Sequence, residues 1–455
     1  MRILRARGHG RALEHEVEAG GNGGVHLAGK RKAAGGERRP ARAKAGGAGK
    51  AAAPKRALRD GGDPVAALLS GELRMHELDA GFGVDLAAQI RRAAIAREVG
   101  VRVRALAAGV VRPEDTKGAV ENFIGVAQVP VGLAGPLEVS GDHASGRYFL
   151  PLATTEGALV ASVSRGCSVI NAAGGARARL LADAMTRAPA FACRDIDHAL
   201  KARAWVQRNL EKVRRAAEGT TRHGQLLGVS PYIVGRTLYL RFHFSTGDAM
   251  GMNMVTIATE AAARAIERGS GARLVALSGN LCTDKKAAAI NLIEGRGKSV
   301  VAEARLPGKL VRGKLHAAPD DMLDVHVRKN LVGTAKAGGL GYNAHFANVL
   351  AAVFIATGQD AAQVVDGSLG FTTVEREGDG LYVAVTIPAL EVGTVGGGTR
   401  LPTQQEALRV MRCAGPGKAR EFAEVVAAAV LAGEVSLLGA MAAGHLGSAH
   451  ARLGR

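Results

Sequence analysis

The sequence predicts a mixed α/β (α+β) fold, and three observations carry that prediction. Short runs with strand-like character, such as Tyr239-Leu240-Arg241-Phe242-His243-Phe244 and Leu274-Val275-Ala276-Leu277, interleave with longer helix-like runs. Those helical runs are rich in Ala, Gly and Ser, which lets them pack closely. Gly and Pro punctuate the junctions. With 455 residues, 47% of them hydrophobic and only 4% aromatic, the chain is long enough for two or three domains around a large core.

Taken in order, residues 1–62 consist almost wholly of Ala, Gly, Lys and Arg without hydrophobic periodicity. Such a segment cannot bury enough apolar surface to offset the entropy of ordering, so a disordered basic tail is expected. Residues 1–60 hold 15 Lys/Arg against 5 Asp/Glu, more than half of the net charge of +19. A polyanion-binding protein is the reading that charge alone suggests, but its concentration in the tail argues against nucleic acid as the main partner. Order is expected from Asp63, leading into a helix over Leu86–Val99 with Arg91, Arg92 and Arg97 on its polar side. Phe123-Ile124-Gly125 and Val129–Pro136 read as strand and turn, 158–172 as a close-packing helix, and 196–216 as one charged amphipathic helix. The apolar runs Val349–Thr357 and Val425–Gly433 fall short of the ~20 residues that span a bilayer, so no membrane span is expected. Four cysteines without CxxC spacing suit free thiols in a reducing cytoplasm.

Chemistry concentrates in a few places. Ser278-Gly279-Asn280-Leu281-Cys282-Thr283-Asp284-Lys285-Lys286 sets two lysines after an aspartate, before an apolar run, where an ammonium needs a partner or a task. Thr154-Thr155-Glu156-Gly157 precedes a helix, so Glu156 serves either that helix's N-terminus or, if buried, general acid catalysis with a raised pKa. Asp360, after the apolar helix 347–357, would oppose its dipole and invite a compensating cation such as Lys285. His445 and His450 follow a Gly- and Ala-rich helix and suit either its C-terminal dipole or catalysis. Two glycine-rich elements, Gly247–Asn253 and Gly393–Thr399, offer backbone N–H groups to phosphate, and neither has the GxGxxG pattern of a Rossmann unit.

Assembled, these motifs resemble hydroxymethylglutaryl-CoA (HMG-CoA) reductase, class I. The resemblance covers roughly residues 63–455, through Glu121-Asn122-Phe123-Ile124-Gly125, Val129-Pro130-Val131-Gly132, Thr154–Ser162, Asp248–Asn253, Asp284-Lys285-Lys286, Gly358-Gln359-Asp360 and Gly393–Thr399. Tyr342–Asn348 looks most like the soluble archaeal-type members. The resemblance implies reduction of HMG-CoA to mevalonate and free CoA with two NADPH and no metal, in the mevalonate pathway of isoprenoid biosynthesis. It assigns catalysis to Glu156, Lys285, Asp360 and His450. Arg187, Ser278, Asp284 and Lys286 match substrate-holding positions. Asn348 would tie Lys285 to Glu156, His345 lies in the same pocket, and Arg165 matches a CoA contact. Thr221, Arg222, Asp248, Met250, Asn253, Gly396, Gly397, Gly398 and Thr399 match cofactor positions, with Arg222 suited to a 2′-phosphate. Implied too are a helical region at 63–120, a large substrate domain at 121–187 and 277–455, a small ferredoxin-like NADP-binding domain at 188–276, and a homodimer or higher homo-oligomer with its active site between subunits.

Overall fold

The computed structural model describes residues 62–100 and 104–444, together with the strand Leu4–Arg5. Eleven strands join in one hydrogen-bonded network: β1 (Leu4–Arg5), β2 (Val131–Ser140), β3 (Ser145–Ala153), β4 (Ala176–Arg187), β5 (Ala190–Ala192), β6 (Gln225–Val234), β7 (Thr237–Ser245), β8 (Arg273–Ala276), β9 (Gly297–Leu306), β10 (Phe371–Glu377) and β11 (Gly380–Leu390). Their order is β1-β6-β7-β4-β9-β11-β10, with β2 on β3 and β4, and β5 on β7 and β8.

One strand serves two layers. β4 pairs with β9 from Arg177↔Glu303 to Ala184↔Gly297, and its last three residues then turn onto β7, ending at Arg187↔Phe242. Beyond β4, β5 to β8 form a small antiparallel sheet in the order β8-β5-β7-β6. The helices Ile196–Arg208 and Leu210–Glu218 follow β5, and Met252–Ser270 follows β7. This is the βαββαβ arrangement of ferredoxin-like folds. It has its own core, including Phe191, Val206, Val213, Leu240, Phe242 and Ile266. Strands β2, β3, β4, β9, β10 and β11 pack with the helices Leu159–Ala172, Phe346–Thr357 and Ala419–Ala442 around a separate, larger core. Leu68, Leu73, Leu78 and Ile90 form a third small cluster near the start of the described chain.

Several local expectations need correcting. The helix expected over 196–216 is two helices, broken at Asn209, whose amide bonds the Trp205 carbonyl at 2.9 Å. Phe123-Ile124-Gly125 forms no strand, because arginines claim its carbonyls: Arg91 bonds Phe123 O at 3.3 Å and Arg92 bonds Ile124 O at 2.9 Å. Arg91 is therefore not on a polar face of the Val84–Val99 helix. It is buried, and it also holds Asp79 at 2.9 Å.

The apolar run Val425–Gly433 proves to be the middle of the 24-residue helix Ala419–Ala442. Among the described residues this is the one helix long and apolar enough to cross a membrane, yet 83% of its most apolar window is buried in protein. Three buried glutamates fasten it there. Glu421 accepts the Tyr148 hydroxyl at 2.9 Å. Glu424 accepts the N–H groups of Asp142, His143 and Ala144 at 3.2, 2.9 and 2.7 Å, closing the β2–β3 turn. Glu434 accepts the Ala344 and His345 N–H groups at 2.8 and 2.7 Å and the Thr372 hydroxyl at 2.6 Å. A buried carboxylate is tolerated where donors converge on it in this way. The helix meets Leu159–Ala172 at bare backbone: a Cβ on Gly166 would lie 1.8 Å from Ala432 O. Glu424→Ala removes the acceptor of three N–H groups, the buried one of Ala144 among them, and chemical denaturation should show a loss of about 2 kcal/mol with little change in m-value.

Candidate active site

From β8 the chain returns to the large core through the loop 277–288. Asn280, Thr283 and Lys285 all adopt left-handed φ there, at 60°, 51° and 59°. For residues with a Cβ this costs about 1–2 kcal/mol each, so the loop needs external restraint. Its buried middle supplies some: Cys282 is inaccessible, and its Sγ shares a hydrogen bond with Ser278 Oγ at 3.3 Å. The Lys285 N–H donates to Asp366 Oδ2 at 2.8 Å.

Behind the loop sits Arg296, buried at the start of β9. Its Nη1 donates to Glu391 Oε1 at 2.9 Å and Gln363 Oε1 at 3.2 Å, and lies 3.6 Å from Asp366 Oδ2. Its Nη2 donates to Asp284 Oδ1 at 3.1 Å and to the Met252 sulfur at 2.8 Å. Gln363 also donates to Asp284 Oδ1 at 3.0 Å, and Arg187 faces the other Asp284 oxygen at 3.6 Å. Burial opposes the charge of Arg296, but Glu391, Asp284 and Asp366 more than offset this and hold it above its ordinary value. Burial pushes Asp366 up and Glu391 well above the usual carboxylate range. Arg296, Asp366, Glu391 and Gln363 were not singled out from sequence. The charged cluster Glu294-Gly295-Arg296-Gly297-Lys298 marks Arg296, and a glutamate ending the apolar run of β11 marks Glu391, whereas nothing local marks Asp366 or Gln363.

Lys285 and Asp360 meet as expected, with Nζ 2.7 Å from Oδ2. The reason differs from the dipole argument. The Phe346–Thr357 helix stops at Gly358, which is left-handed, and Asp360 caps the next turn by accepting the Ala362 N–H at 3.1 Å. Asp360 is thus stabilised at an N-terminus rather than stranded at a C-terminus. Its hydrogen bond holds the Lys285 ammonium above its ordinary value, and the charges of Asp360 and Asp284 add to this. Lys286 turns outward, its Nζ donating to the Asp284 carbonyl at 2.8 Å.

Glu156 departs from the expectation of a buried acid. It is exposed, and it precedes the Leu159–Ala172 helix rather than lying in its first turn. Its Oε2 accepts from Asn348 Nδ2 at 2.7 Å. Asn348 does not also reach Lys285. It lies near the start of the Phe346–Thr357 helix, whereas Asp360 lies just past the end, so the two pairs are separated along the axis by roughly 14 Å. His345 adjoins the Glu156–Asn348 end, with its N–H on Glu434 and its buried Nε2 without a partner. Arg165 fastens the long helix, donating to Ser436 Oγ at 3.0 Å and Ser436 O at 2.7 Å. His445 and His450 lie outside the described residues.

The candidate cofactor positions converge in part. Asp248 accepts the Gly417 and Ala419 N–H groups at 2.7 and 3.1 Å, and its carbonyl takes the Thr394 N–H at 2.8 Å. The Met250 backbone packs against Gly393, where a Cβ would come within 2.4 Å. These contacts set the start of the Met252–Ser270 helix, including exposed Asn253, beside the Gly393–Thr399 loop. In that loop Gly396 and Gly397 have φ of 77° and 52°, Gly398 lies against Gly358 backbone to backbone, and Thr399 bonds Gly396 O at 2.6 Å. Thr221 Oγ1 caps its own turn by accepting the His223 and Gly224 N–H groups. Arg222 beside it is exposed and makes no ion pair among the described residues.

A model of the hydroxymethylglutaryl-coenzyme A reductase family matches residues 87–455. The 3-hydroxy-3-methylglutaryl-coenzyme A reductase of Haloferax volcanii is 53% identical over 390 residues, covering 85% of this chain and 97% of that protein. The Methanocaldococcus jannaschii enzyme of the same name is 51% identical over 400 residues, covering 86% and 99%. Among solved structures, the class II 3-hydroxy-3-methylglutaryl-CoA reductase of Streptococcus pneumoniae, bound to NADPH in open conformations, superposes with a TM-score of 0.60 at 20% identity. That match spans 72% of this chain and 89% of that one, and is a likeness of fold.

The ion pair has a pH signature. Because Lys285 is raised in the folded state, the pair's contribution is complete below the lysine's ordinary value of 10.5 and is lost as pH rises through the folded value. Asp360→Asn should lower the Lys285 titration, read by NMR of the ¹³C-methylated amine. An unmoved titration would contradict the pairing.

Proposed function

The chain belongs to the hydroxymethylglutaryl-coenzyme A reductase family and reduces HMG-CoA to mevalonate, and on that premise we propose that Lys285, Glu156, Asp360 and His450 carry the reaction. The observation that carries this reading is the Lys285–Asp360 ion pair on a loop anchored from behind by Arg296. NADPH supplies a hydride in each of the two reductions. In the first, the thioester carbonyl oxygen becomes an oxyanion, and the Lys285 ammonium stabilises it. As the hemithioacetal collapses, the C–S bond breaks and the departing CoA thiolate takes a proton from His450. In the second, the aldehyde oxygen takes its proton from Glu156, oriented by Asn348. Asp360 keeps Lys285 charged and aimed.

Arg187, Ser278, Asp284 and Lys286 are assigned to the hydroxymethylglutaryl group, with the two cations suited to its free carboxylate. For the cofactor, the small body at 188–276 is the proposed NADP-binding domain, set into a large domain at 121–187 and 277–455 that follows a helical region at 63–120. The residues present fit an anionic dinucleotide. The positive end of the 19-residue Met252–Ser270 helix follows left-handed Gly251, the Gly396–Thr399 turn lies beside it, and Arg222 has no acidic partner among the described residues.

We infer that the minimal unit is a homodimer in which Lys285 and Asp360 of one subunit face Glu156 and Asn348 of the other. The separation of the two pairs within one chain supports this, as does the exposure of Glu156. Further support comes from a concavity of about 800 Å³ whose walls include exposed Val110, Val131, Leu133, Ile355 and Val410. The four free, buried cysteines suit the reducing cytoplasm, which is the proposed location.

Purified protein should oxidise two NADPH for each HMG-CoA consumed, with acetyl-CoA giving no comparable rate. Equal rates on both thioesters would remove the substrate assignment. Lys285→Ala should lower kcat by about 10²–10³-fold. Arg222→Ala should raise KM for NADPH by about tenfold and leave KM for NADH nearly unchanged. Equal effects on both cofactors would remove the 2′-phosphate role.

A further inference from the structure

We propose that Asp366 is a positioning residue for the reaction: it holds the Lys285 backbone in the left-handed conformation that delivers the ammonium to Asp360. The proposal rests on the assignment of Lys285 as the oxyanion-stabilising group. Asp366 belongs to the short helix Val364–Gly367 and is fully buried. Each of its oxygens has a separate task. Oδ2 accepts the Lys285 N–H at 2.8 Å, and Oδ1 accepts Asn291 Nδ2 at 2.9 Å. Arg296 Nη1, 3.6 Å from Oδ2, steadies the charge. The carboxylate is therefore aimed at one backbone amide by two buried neighbours.

That amide needs holding. Lys285 has a φ of 59°, a region that disfavours any residue carrying a Cβ. Its side chain is 40% exposed, and among the described residues the ammonium's one ion-pair partner is Asp360. Surface packing does not fix the head, so its location follows from the direction in which the backbone launches it. Relaxation to an ordinary negative φ would turn the Cα–Cβ bond away from Asp360. The loop's other left-handed residues, Asn280 and Thr283, are tied by their own turn, in which the Thr283 N–H donates to Asn280 O at 3.2 Å. Lys285 lies in a turn too, closed by the Lys286 N–H on Thr283 O at 3.2 Å, but that bond leaves the Lys285 N–H itself to be satisfied. Asp366 satisfies it from a distant segment, 81 positions along the chain. The turn and the carboxylate together fix the conformation.

The test compares wild type with Asp366→Asn, in which one amide oxygen must serve three donors. The readouts are steady-state kinetics and competitive acetylation of lysines with acetic anhydride, followed by mass spectrometry. Buried Lys298, held by Asp183 at 3.2 Å, reports any general loosening. The expected result is a fall in kcat of about 10- to 100-fold with KM for HMG-CoA within about twofold. Lys285 acetylation should rise several-fold relative to Lys298. Should Asp366→Asn not fold, Asn291→Ala, which frees Oδ1 but keeps the carboxylate, should give smaller changes in the same direction. A kcat within twofold of wild type, or a Lys285 to Lys298 labelling ratio that does not move, overturns the proposal. An active Lys285→Ala enzyme would instead overturn the role of Lys285 while leaving the labelling result to be judged separately.

Discussion

A single buried guanidinium organises the reactive half of this molecule. Arg296 stands where β9 begins, and on it converge Asp284 from the return loop, Asp366 and Gln363 from the segment after Asp360, Glu391 from the end of β11, and Met252 from the small body. Each of these elements brings a group that is costly to bury alone, and each is tolerated because the others are present. Removing the cation would leave three acids facing one another, two of them fully buried. The loop that carries Lys285 is thus held by charge at its back.

The same logic recurs in the scaffold. The Ala419–Ala442 helix is apolar enough to pass for a membrane span, but Glu421, Glu424 and Glu434 each gather donors from a different part of the large domain. Glu434 matters most to the chemistry, because its acceptors hold the residues just before the Phe346–Thr357 helix. That helix carries Asn348 near one end and leads to Asp360 at the other. A rod of that length keeps the Glu156–Asn348 and Lys285–Asp360 pairs apart in one chain. The proposed dimer would bring the opposite end of a second rod to each.

Much of this was legible in the sequence, for identifiable reasons. Lys285, Asp284 and Asp360 stood out because polar groups lay in apolar or glycine-rich surroundings, and the structure places all three in contact or one bond apart. Two strands of the small body were readable, β7 from its alternation and β8 from its apolar run, while β5 and β6 were not singled out. Asp366 was not legible, because its hydrogen-bond partners lie 75 and 81 positions away, which no local pattern encodes. Arg296 left only the charged cluster around it, which does not reveal that Asp366 and Glu391 converge on it from far along the chain. Arg91 was misread for the same reason: on a helix an arginine normally faces water, and only the tertiary neighbours Met75, Asp79 and Phe123 make it a core residue. The exposure of Glu156 reflects a different limit, since the surface of one chain does not reveal what covers it in an assembly.

The central claim is that each active site draws Lys285 and Asp360 from one subunit and Glu156 and Asn348 from its partner. It is tested most directly by purifying, through two different tags, the heterodimer of a Lys285→Ala subunit and a Glu156→Gln subunit. The division of the site predicts one dead and one intact site per heterodimer, hence about half of wild-type activity from two inactive parents. A heterodimer as inactive as either parent would place all four groups within one chain and contradict the account.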